Sequence, residues 1–136
     1  MKEQIISFKT AVLAKQKGFD IPVQKFYLHK GIRSENVNPD EVKTHLNNAK
    51  YSNWNNRATR TSAPTQSLLQ KWLREKHNIH VIVDFYAVDA EPTDVEYTVE
   101  VTKPETWSSC DIFVELEINT YEEALEKGLY EALKLI

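Results

Sequence analysis

Apolar residues recur at helical spacing in four stretches of this chain and at strand spacing in the intervals between them. Ile5, Phe8, Val12 and Leu13 form the first stretch, with Ser7 placed as a cap and Gly18 where a helix commonly ends in a left-handed residue. This spacing predicts a helix over about 7–17. Pro22 bars its continuation, and Val23 to His29 reads as a strand that Gly31 brings to an end. Asn38-Pro39-Asp40-Glu41 carries the cap, first-turn proline and following glutamate that open helices. Val42, His45, Leu46 and Ala49 then fall at helical spacing, so a short helix is expected over 39–49. Tyr51 to Ser62 reads as an irregular strand or an exposed loop.

The pattern sharpens in the second half. Pro64 suits a first helical turn, Gln66 can reach back to a cap, and Leu68, Leu69, Trp72 and Leu73 form one apolar stripe. Lys71, Arg74, Glu75 and Lys76 fall mostly opposite, and the helix is expected to end near His77-Asn78 with Leu69 and Trp72 in the core. Ile79 to Ala87, Val95 to Val101 and Asp111 to Ile118 are rich in β-branched and aromatic residues and predict three adjacent antiparallel strands. Thr120 with Glu123 forms a capping box, and Tyr121, Leu125, Leu129, Ala132, Leu133 and Ile136 make the apolar face of a last helix. The resulting order implies an α+β fold: an antiparallel sheet of three to five strands with two or three helices packed mainly on one face.

Composition adds boundaries to that picture. At 136 residues and 41% apolar content the chain has the size and the core material of one domain. Cys110 is the single cysteine, so no intrachain disulfide can form, and a reducing cytoplasmic setting is the expectation. Lys9, Lys15 and Lys17 interrupt anything resembling a signal-peptide core, and no run of apolar residues is long enough to span a bilayer.

Charge changes the picture more. Residues 1–83 carry 14 Lys and Arg against 6 Asp and Glu, while residues 84–136 carry 3 against 14, so a total of −3 conceals halves of +8 and −11. Such sorting points to recognition of a charged partner, or to pairing of opposite charges within the fold.

Two segments carry a resemblance. Ser62-Ala63-Pro64-Thr65-Gln66-Ser67-Leu68-Leu69-Gln70-Lys71-Trp72-Leu73-Arg74-Glu75 with Asn78-Ile79-His80, and Thr120-Tyr121-Glu122-Glu123-Ala124-Leu125-Glu126 through Glu131-Ala132-Leu133-Lys134-Leu135-Ile136, resemble a family of small uncharacterised proteins from Bacteroides-type bacteria and their phages or prophages. The resemblance is confined to these two helices. It implies a phage-associated setting and brings with it no activity, cofactor or catalytic residue.

Candidate chemistry is sparse. His77 and His80 have HxxH spacing, but neither Cys110 nor a carboxylate stands at a spacing that completes a zinc set. Cys110 follows two serines at the start of a strand, the setting of an inert thiol. Three glycines, at 18, 31 and 128, cannot build a phosphate-cradling loop. No cofactor is therefore expected. The acidic half offers Asp84, Asp89, Glu91, Asp94, Glu96, Glu100, Glu115 and Glu117. Alternation places Glu96 with Glu100 on one strand face and Glu115 with Glu117 on one face, either as a solvated surface or as an acidic surface for a partner. The stretch Lys50, Tyr51, Trp54, Arg57 and Arg60 mixes cations with rings that can stack on bases, which makes it the candidate for nucleic-acid contact; a polar loop anchored to the core by Trp54 is the plainer account.

The sequence thus favours a small accessory protein that binds a basic host or phage protein through Glu96, Glu100, Glu115 and Glu117, and not catalysis. A nucleic-acid binder using residues 50–76 and a hydrolase with an unrecognised site are the alternatives.

Overall fold

A computed structural model of the chain describes residues 2–30, 43–46, 50–88, 94–104 and 113–136. These gather into two compact units, Met1–Thr65 and Gln66–Ile136, each with its own three-stranded antiparallel sheet. The fold is α+β. By sequence, the first unit carries 11 Lys and Arg against 5 Asp and Glu, and the second carries 6 against 15, so the units keep opposite signs at +6 and −9, a weaker division than the +8 and −11 on either side of residue 83.

In the first unit, helix α1 (Phe8–Gln16) begins at Ser7, whose hydroxyl accepts from the Thr10 amide at 3.3 Å, and ends before Gly18 at φ +87°. Strand β1 (Lys25–Leu28) is central, flanked by β2 (Lys43–Leu46) and β3 (Arg60–Ser62) in the order β2-β1-β3. Alternation along β1 sends Phe26 to one face and Tyr27 to the other. Tyr27 meets the Phe8 ring of α1 at 5.4 Å and donates its hydroxyl to the Ile6 carbonyl at 2.6 Å, which fixes the chain entering the helix. Phe26 packs against Trp54 at 4.5 Å between ring centres.

The helix expected over 39–49 is corrected here. Lys43–Leu46 is a strand, paired with β1 from Lys25↔Leu46 to Leu28↔Lys43, while the cap signature and the rest of that segment lie outside the described residues. Hydrogen bonding to β1 outweighs the modest helical preference of four residues.

In the second unit, α2 (Gln66–His77) and α3 (Tyr121–Leu133) pack on one face of the sheet formed by β4 (His80–Ala87), β5 (Val95–Thr102) and β6 (Phe113–Ile118). Leu69, Trp72, Leu73, Val81, Val99, Val101, Leu125, Leu129 and Leu133 are buried between the layers. Helix α2 starts two residues after Pro64, because Pro64 accepts from the Ile6 amide and Thr65 bridges Ile5. Gln66 reaches α3 and not a cap, donating to the Glu122 carbonyl at 3.0 Å. Asn78, at φ +53°, ends α2, and the Ile79 amide closes back on the Leu73 carbonyl at 3.1 Å. Thr120 caps α3 by accepting from the Glu123 amide at 3.2 Å. Among the described residues no helix is long and apolar enough to cross a membrane.

Candidate functional site

Among the described residues the helices of the second unit cover one face of its sheet, and register identifies what the other face presents. Val81 and Val99 point at α3, so their neighbours Ile82, Glu100 and Thr98 point away from it. Ile82 stands opposite Glu100, and Glu100 opposite Val114, so one row across three strands reads aliphatic, carboxylate, aliphatic. Asp84 lies opposite Thr98 in the next row, and Tyr86 opposite Glu96 beyond it. Ile82 is 50% exposed, Val114 47% and Leu116 59%. Strands β4, β5 and β6 contain no Lys or Arg at all.

One end of this face is an acidic cluster built around a phenol. The Tyr86 hydroxyl donates to Glu96 Oε2 at 2.6 Å, and that bond, with the nearby charges of Glu96 and Glu117, holds the phenol above its usual value. Glu117 arrives there through a bulge: Tyr97 pairs with Ile118 and Val99 with Glu115, which leaves two residues of β6 opposite Thr98 and puts Glu117 at φ +60°.

The same bulge corrects an expectation from alternation. Glu115 and Glu117 do not share a face. Glu115 lies on the helix side, opposite Val99, and forms an ion pair with Lys127 of α3 at 2.6 Å. The structure therefore brings Glu96, Glu100 and Glu117 to the open side and removes Glu115 from it. Sequence reasoning missed the apolar members Ile82, Val114 and Leu116. Their signal was present: Val81-Ile82-Val83 and Phe113-Val114 are apolar on consecutive positions, as in strands covered on both faces.

The edge of β4 is less open than its face. The Val88 amide donates to Asp94, so alternation turns the backbone of Ile82, Asp84 and Tyr86 toward β5 and that of Val81, Val83, Phe85 and Ala87 outward. Gln70 Nε2 donates to the outward Val81 carbonyl at 2.7 Å, and Asp84 Oδ1 accepts from the outward Phe85 amide at 2.8 Å. Occupied groups of this kind discourage addition of a further strand.

The basic stretch of the first unit divides in two. Trp54 is 5% exposed, donates Nε1 to the Val23 carbonyl at 2.8 Å, and opens the 3-10 turn Trp54–Asn56; it anchors its loop and presents no face for a base. Lys50, Tyr51 and Arg57 are exposed, Tyr51 at 65%. Arg60 is half-buried with its guanidinium 4.8 Å from the Phe26 ring centre and 5.2 Å from that of Trp54. Lys15 donates to the Arg57 and Arg60 carbonyls, both at 2.8 Å, and burial lowers its pKa.

His77 and His80 go different ways. His77 packs edge-on against Trp72 at 4.6 Å, and His80 Nε2 lies 3.3 Å from Asn78 Oδ1. Among the described residues no group of three or more His, Cys, Asp or Glu is placed to hold a metal ion. Cys110, Asp89 and Glu91 lie outside the described residues. No family model, curated protein or solved structure matches the chain.

Proposed function

We propose that the chain is a binding protein that takes a basic protein surface onto the open face of its second sheet. The observation that carries this reading is the row Ile82, Glu100, Val114, in which a carboxylate sits between two half-exposed aliphatic side chains on strands without a cation. Leaving such aliphatics in water forgoes roughly 1 kcal/mol each relative to burial. A lysine or arginine side chain matches either half of the row, because its methylene stem lies on Ile82 or Val114 while its charged head meets the Glu100 carboxylate between them. Asp84, Glu96 and Glu117 extend the negative field and speed encounter with a basic partner.

The resemblance of the two helices to phage-associated proteins supports an accessory role in that setting, with a basic host or phage protein as partner. Neither a membrane nor a cofactor is part of the reading. The test is a titration with an arginine-rich peptide followed by amide chemical shifts. Shifts confined to Ile82, Asp84, Glu100, Val114 and Leu116 support the reading, and shifts centred on the α3 carboxylates Glu122 and Glu123 reject it.

A further inference from the structure

The turn that leads into β3 gathers positive charge in an unusual way. Arg57 and Arg60 close it, with the Arg60 amide on the Arg57 carbonyl, and Lys15 holds both of their carbonyls from α1. No carboxylate among the described residues reaches ion-pairing distance of either guanidinium. Phe26 and Trp54 lie against the Arg60 guanidinium, and the Lys15 bonds fix its backbone, so its side chain is ordered before anything binds to it. An arginine that only covered an aromatic pair would gain from a nearby carboxylate, and this one has none among the described residues. Its N–H edge is a fork of donors without a carboxylate partner among the described residues, and Arg57 is exposed beside it in the same turn.

We propose that the turn Arg57–Arg60 is a binding site for a phosphate group. A planar guanidinium ordered by stacking offers paired donors to phosphate oxygens, and the second arginine together with the Lys15 ammonium adds positive field at the same point. The site lies in the unit of net positive charge. Phosphate can reach it as a free anion or as the diester of a nucleic-acid strand, and two probes separate these sources: inorganic pyrophosphate and a short oligothymidylate.

The measurement is a titration of the full chain at low salt with each probe, read at the amides of Arg57 to Ser62 and at the Trp54 indole N–H. Both probes, or the oligonucleotide alone, are expected to shift these signals. For the oligonucleotide, Arg57→Ala and Arg60→Gln should each reduce the dependence of log affinity on log salt by about 0.7. Arg60→Lys should weaken binding although charge is kept, because an ammonium provides no planar fork. Arg57 is exposed, so its replacement tests the site even if Arg60→Gln perturbs folding. Binding unchanged in Arg57→Ala, no shift with either probe, or equal binding of an oligoglutamate peptide would overturn the proposal.

Discussion

Ile82 on β4 stands directly opposite Glu100 on β5, on the face of the second sheet turned away from α3. A hydrophobic residue beside a carboxylate gains nothing from it in the free protein, yet the pair suits an incoming side chain with an apolar stem and a cationic head. The row continues to Val114, and the bulge at Glu117 gathers further negative charge around Tyr86 at one end. On the helix side of the same sheet Glu115 pairs with the cation Lys127 of α3, whereas Glu100 accepts from the Thr102 hydroxyl at 2.9 Å.

The fit of α3 against the sheet depends on a missing side chain. A Cβ on Gly128 would overlap Val99 Cγ2 and lie 2.6 Å from Val81 Cγ1, and both belong to central, buried residues. Alanine would be the better helix former by about 1 kcal/mol, but overpacking costs about 1–3 kcal/mol. Gly128→Ala is expected to lower the melting temperature; an unchanged or raised value would show that α3 can stand further from the sheet.

Trp72 is the largest side chain that α2 buries, at 4% exposure. Trp72→Ala is expected to destabilise the protein by about 3–5 kcal/mol, measured by denaturant unfolding. A loss well under 1 kcal/mol would contradict the packing of α2 described here.

His77 gives a pH dependence whose sign follows from its surroundings. Desolvation, then the charges of Lys76 and Lys103, lower its pKa in the folded state below the ordinary 6.5. The unfolded chain therefore takes up the proton first as pH falls. Stability attributable to this residue is complete above 6.5 and declines as pH drops through that value toward the folded pKa. His77→Gln is expected to flatten the decline in melting temperature over that window, and a decline of the same steepness in the variant would remove His77 as its cause.

The helices were legible because their signals are local. Ser7, Gly18, Thr120 with Glu123, and the Leu69-Trp72-Leu73 stripe each act within a turn or two of their own position, and each is found where the pattern places it. Lys43–Leu46 was not legible, since its strand state comes from hydrogen bonds to β1, some eighteen positions away in sequence. The two sheets could not be told from one for the same reason, as strand partners are long-range choices. The acidic face was legible only in part: alternation places Glu96 with Glu100, but a one-residue bulge reverses the parity of β6 and separates Glu115 from Glu117. The stacking of Arg60 on two rings leaves no trace in local pattern.

Net charge alone would draw any basic peptide to the second unit, so the decisive measurement separates the open face from general attraction. The affinity of one arginine-rich peptide is compared for the native chain, for Ile82→Ser with Leu116→Ser, and for Glu122→Gln with Glu123→Gln. The first pair leaves every charge in place and removes apolar surface from the face, while the second removes two charges from the start of α3. Recognition at the face predicts that the first pair weakens binding by about tenfold, equivalent to about 1.4 kcal/mol, with a much smaller effect from the second. Equal affinity in the Ile82 and Leu116 variant, with the larger loss on α3, would contradict the account.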